Sequence, residues 1–87
     1  MSAAREAINE ALLSEELNDG EKECIQWQFP NVVPLPGFKA VLWEAMKRAD
    51  SENLFRLRLG FPEEVDALRA FRNGELGEKV KKYGVEF

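Results

Sequence analysis

Histidine is absent from this sequence. That removes the commonest general base, the usual partner of a nucleophilic serine or cysteine, and the commonest metal ligand. Cysteine occurs once, at Cys24, so an internal disulfide is excluded and a cysteine-type zinc site lacks its ligands. The neighbouring Glu21, Lys22 and Glu23 are net negative and disfavour a thiolate, which makes Cys24 a spectator rather than a nucleophile. No apolar run approaches the ~18 residues that a membrane-spanning helix needs. The opening Met1-Ser2-Ala3-Ala4-Arg5-Glu6 lacks the apolar stretch of a secretory signal. P-loop, GxGxxG and EF-hand spacings are missing as well. These absences lead to the expectation of a non-enzymatic chain that holds no metal or cofactor, has no membrane partner and works in a reducing cytoplasm.

The residues present suit one globular domain spanning 1–87. A 45% apolar and 32% charged composition is ordinary for a folded protein, while 87 residues leave only a thin core. Charge is unevenly spread. Residues 1–44 carry three cations against eight carboxylates, a balance of −5, and residues 45–87 carry nine against eight, a balance of +1. The acidic half repels phosphates and anionic lipid and suits either solvation or a basic protein surface.

Residues 3–17 place Ala4, Ala7, Ile8, Ala11, Leu12 and Leu17 on one helical stripe, and Asn18-Asp19-Gly20 reads as its stop. An acidic helix over 1–20 is the result. In residues 23–29, Ile25, Trp27 and Phe29 alternate with Cys24, Gln26 and Gln28, which is strand spacing. Pro30, Pro34 and Pro36 interrupt any partner strand. The segment 21–37 is therefore expected to be an extended, proline-flanked arm and linker. An edge strand over 23–29, an intermolecular sheet and a short helix are the alternatives.

Residues 38–49 repeat Phe38, Val41, Leu42, Ala45, Met46 and Ala49 at helical spacing, with Trp43 beside the stripe. Asp50-Ser51 caps a helix over 51–59, preferred to a strand, and Gly60 ends it. Pro62 suits the first turn of a helix over 62–72, whose buried side is Val65, Leu68 and Phe71. Glu63 and Glu64 favour the positive end of that helix dipole and read as helix-start residues. A short helix over 75–83 turns Leu76, Val80 and Tyr83 inward. The expected fold is mostly α: a compact bundle of four or five short helices, with its core in 38–83 and the first helix and arm leaning on that core or on a second subunit.

Two residue sets point to binding. Trp27, Phe29 and Leu35 are large apolar groups on the arm, suited to contact a protein or another copy of the chain, unless the arm wraps its own core. Glu10, Glu15, Glu16 and Asp19 belong to the acidic face and are candidates for a basic protein groove. A nucleic-acid reading rests on Arg56, Arg58, Arg69 and Arg72, but carboxylates interleave with them. A helix-turn-helix across 51–72 would also begin its recognition helix with Pro62-Glu63-Glu64, where phosphates should lie.

The stretch Leu42-Trp43-Glu44-Ala45, Ala49-Asp50-Ser51-Glu52-Asn53-Leu54, Leu57 and Gly60-Phe61-Pro62-Glu63-Glu64-Val65 resembles small accessory proteins of bacteriophages and prophages, over about residues 38–74. The resemblance implies a non-catalytic protein that binds a host protein in the bacterial cytoplasm. Anti-defence inhibitors, including those of CRISPR-type effectors, are one such group. The contact region expected from the sequence is 21–36 with the acidic first helix. The remaining readings are a small nucleic-acid-binding regulator and a self-assembling structural protein that pairs through the arm.

Overall fold

Asn18, read above as part of a helix stop, starts a helix. In the computed structural model, which describes residues 2–87 and side chains from Ala4 onward, its backbone is extended (φ −80°, ψ 174°). Its side-chain oxygen accepts from the Glu21 N–H at 2.8 Å, and the Glu21 carboxylate accepts from the Asn18 N–H at 2.9 Å. This reciprocal capping box satisfies two N–H groups that would otherwise be unpaired. Helix α1 (Ser2–Leu13) thus ends four residues before the expected 17, and α2 occupies Asp19–Gln28.

The arm and edge strand over 21–29 are therefore corrected to a helix, and among the described residues there is no strand. The alternation of Ile25, Trp27 and Phe29 misleads because α2 buries non-apolar residues too. Gly20, Glu23, Cys24 and Ile25 all face inward. Phe29 closes α2, and Val32 N–H returns to its carbonyl at 3.0 Å. Only the stretch from Pro34 to Pro36 crosses in extended form to α3 (Gly37–Arg48).

The next boundaries follow the local chemistry. Asp50 accepts from the Asn53 N–H at 2.8 Å and caps α4 (Ser51–Gly60). A single residue, Phe61, separates α4 from α5 (Pro62–Arg72), which begins on Pro62. Arg58 spans that corner with a two-pronged bond to Asp66 at 2.7 and 2.9 Å. Gly74 (φ +88°) and Gly84 (φ +87°) make left-handed turns on either side of α6 (Glu75–Val80) and its closing 3-10 turn. A side chain at either position would be strained.

Residues 38–83 do not close on themselves. The pair α2–α5 is the most extensive helix contact, and one apolar cluster runs from Ile8 to Val85. Its largest fully buried side chains are Trp43, Ile25 and Met46. Trp27 lies 5.2 Å from Trp43 and 6.0 Å from Phe71, while Phe87 packs on Phe71 and Phe29, which ties the C-terminus to the core. The mostly α bundle expected from the sequence is the observed fold, with α2 part of its core.

Two features fix the α2–α5 contact. A Cβ at Gly20 would lie 2.2 Å from the Glu63 carbonyl oxygen, so the helices meet backbone to backbone there. Lys39 Nζ, reaching in from α3, bonds Glu23 at 2.6 Å and Glu64 at 3.2 Å, and Trp43 Nε1 donates to Glu23 at 3.1 Å. Both carboxylates are buried, and no described buried side-chain polar atom lacks a partner.

Gly20→Ala is expected to cost about 2–3 kcal/mol, because backbone must move to admit the methyl group. Gly60→Ala meets no neighbour and should gain about 0.4–1 kcal/mol. Urea unfolding of the two variants checks this contrast, and equal effects would contradict the close approach. Lys39→Met leaves Glu23 and Glu64 together without their cation. It should cost about 2–3 kcal/mol, less than a fully buried pair, since the ammonium keeps some access to water. Glu23→Gln/Glu64→Gln in the same background should restore much of that stability.

Candidate protein-binding surface

Helix α3 carries more apolar surface than the core uses. Leu42, Trp43 and Met46 point inward, and Lys39 turns toward the two buried carboxylates. Phe38 and Val41, expected in the core, are instead 64% and 69% exposed. They share a face with Ala45, at spacings of three, four and seven residues. The helix is rotated relative to its apolar stripe, so one edge of the stripe is buried and the other faces water. Trp43, read as flanking the stripe, is fully buried.

Helix α4 runs back alongside α3 after the turn at Ala49-Asp50. Near the far end Phe38 meets Phe61, with ring centroids 6.0 Å apart. Between turn and aromatic contact the helices make few close approaches, because Ala45 and Ala49 are too small to fill the gap. What remains is a groove of about 410 Å³, open along one side and lined by Ala45, Ala49 and Leu57, with Arg48, Asn53 and Arg56 on its rim. On the back of α4, Phe55 and Leu59 are also turned out, at 62% and 77% exposure. Leu13 on α1 and Phe87 are exposed elsewhere, and four of the exposed large apolar residues lie on α3 and α4. The mark of this in the sequence is Trp43, which extends the apolar arc of α3 beyond what one packed face covers.

The residues singled out from the sequence are dispersed. Trp27 is half-buried, and its Nε1 donates to Glu44 at 3.0 Å. Leu35 shares a shallow depression with Trp27, Pro34 and Ala40. Phe29 stacks on Phe87 instead, at 6.2 Å. All three pack against the chain's own core. Glu10, Glu15, Glu16 and Asp19 are exposed on α1, the turn after it and the first residue of α2, and Glu16 pairs with Lys82. That pairing holds Glu16 below, and Lys82 above, their ordinary protonation ranges.

The candidate nucleic-acid arginines are largely engaged within the protein. Arg56 bonds Glu52, Arg58 bonds Asp66, and Arg72 donates to the Lys47 carbonyl. Arg69 is exposed and adds to the positive field at Asp66. Reactive chemistry is sparse. Burial pushes the Cys24 thiol up to about 12, so the thiolate is not formed at neutral pH. Among the described residues, no three histidine, cysteine, aspartate or glutamate side chains converge as metal ligands, and no helix is long and apolar enough to cross a membrane.

The chain matches no protein-family model, and no curated protein or solved structure is detectably similar to it.

The Arg58–Asp66 bridge, which joins α4 to α5, carries a pH signature. The hydrogen bond from Arg58, more than its charge alone, keeps the Asp66 carboxyl below the usual range despite some desolvation. A folded-state value lowered in this way contributes stability at neutral pH and withdraws it as acid protonates the group. Asp66→Asn should therefore be less stable than the parent at pH 7, with the difference closing below the ordinary carboxylate range. Thermal unfolding between pH 7 and pH 3 checks it, and a gap that widens in acid would contradict the assignment.

Proposed function

We propose that this chain is a non-catalytic protein-binding accessory protein of phage or mobile-element type, which acts in the host cytoplasm by covering a surface of a host protein. One observation carries the reading: α3 turns Phe38 and Val41 outward on a rigid helix, beside an apolar groove that continues to Leu57. Apolar residues scattered singly over a surface are ordinary, whereas a face that runs across a groove to a second helix has the anatomy of a contact surface. The contact region accordingly moves from the 21–36 arm to the α3–α4 hairpin, since Trp27, Phe29 and Leu35 serve the core.

A rigid hairpin suits occlusion. It presents a preformed surface and loses little conformational freedom on binding. Inhibition of a defence effector of CRISPR type is the form of action that the phage resemblance favours. The exposed Glu10, Glu15 and Asp19 add a negative field that would draw the protein toward a basic target.

Val41→Asp tests the reading directly. The side chain is exposed, so the folded state should change by no more than about 0.5 kcal/mol. A host protein retained by the parent chain, once identified and purified, should bind the variant at least ~10-fold more weakly, equivalent to about 1.4 kcal/mol. Titration by calorimetry gives the comparison, with Glu10→Gln/Glu15→Gln as the variant of the acidic face. Undiminished binding by Val41→Asp would remove the hairpin as the contact surface.

A further inference from the structure

The groove between α3 and α4 is not neutral at its rim. Arg48 is exposed at the end of α3 and has no ion-pair partner among the described residues. Arg56 faces it from α4 and is paired only with Glu52, one turn away on the same helix. Both members of that pair are well exposed, and such a bridge exchanges readily for another carboxylate. Two guanidinium groups and the Asn53 amide thus edge an apolar floor, in a chain whose net charge is −4. Guanidinium is the side-chain group best matched to a carboxylate in a partly dry site.

Resting on the protein-binding reading above, we infer that the groove takes an amphipathic helix of the partner, with its apolar side on Ala45, Ala49 and Leu57 and carboxylates at the end lying between Arg48 and Arg56. The backbone chemistry of the site selects a helix. Among the described residues no strand edge is offered, so an extended segment laid on alanine and leucine would leave its N–H and C=O groups unpaired on the groove side, whereas a helix satisfies its own. The lining residues run from Ala45 to Ala49 on one wall and from Asn53 to Leu57 on the other, about 6 Å or one helical turn, so the groove seats one turn of the partner helix. Phe38 and Val41 form the lip over which the partner helix continues. The Arg pair sets its direction, since a reversed helix would place its acidic end against Phe61.

The test uses two synthetic helical peptides of about three turns. They share leucines at i, i+3 and i+7 and differ only in carrying two aspartates or two lysines at one end. Fluorescence anisotropy should show the aspartate peptide binding the intact protein at least ~10-fold more tightly than the lysine peptide. Arg48→Glu/Arg56→Glu should invert that order, and Arg48→Gln alone should narrow it. Circular dichroism confirms that each variant is folded. Equal binding of the two peptides, preference for lysine or binding of neither overturns the inference. So does a dimer in solution that Val41→Asp dissolves, because a second copy would then be the occupant. Failure with the peptides, alongside loss of the identified host protein by Val41→Asp, would refute the acidic helix alone. Retention of that host protein by Val41→Asp would refute the hairpin surface itself.

Discussion

The Lys39 ammonium lies between the carboxylates of Glu23 and Glu64, and Trp43 donates to the first of them. Three helices meet at this point, two of them contributing a buried carboxylate and the third a partly exposed ammonium. Such a cluster adds little net stability over an apolar core of the same shape, but it penalises any arrangement that separates its members. Glu23 and Glu64 fix the register of α2 on α5, and Gly20 allows the backbone approach that brings them close. Lys39 and Trp43 fix the rotation of α3. The hydrogen bond that Lys39 donates to Glu23 is the main reason that it holds its proton more firmly than an ordinary lysine.

The surface follows from that rotation. Had apolar area alone oriented α3, Phe38 and Val41 would be inside. Placing Lys39 and Trp43 at the cluster turns the helix by most of one residue's ~100° step. Half of the stripe is thereby delivered to solvent beside α4. The alanines at 45 and 49 then line the gap, and the Arg58–Asp66 bridge spans the corner between α4 and α5. Interior electrostatics and exterior shape are consequences of one arrangement.

Much of the fold is legible where local chemistry decides. Asp50 caps α4, and Gly60-Phe61-Pro62 marks the α4–α5 corner, with α4 running one residue past the expected 59. Helix α2 is not legible in the same way. Asn-Asp-Gly is as good a helix end as a beginning; the local sign that it begins one is Glu21, which completes the capping box with Asn18, and α5 then buries Gly20 against Glu63. Glu23 breaks the apolar pattern because its partners, Lys39 and Trp43, lie well along the chain. The candidate surface is hidden for a related reason. Periodicity shows that α3 has an apolar side, while which edge of that side is covered depends on an ion cluster assembled from three segments. Trp27 and Phe29 illustrate the converse: aromatic residues in a segment that resists placement look like interface, yet they pack on Trp43 and Phe87.

Cys24 sits on α2, fully buried at the seam with the rest of the core. Its sulfur is out of reach of oxidants and alkylating reagents while the helices stay together, and burial suppresses the reactive thiolate further. The lone thiol is therefore a built-in clock. The rate at which it acquires a label reports how often the molecule opens at its central seam, without any foreign probe having to be introduced.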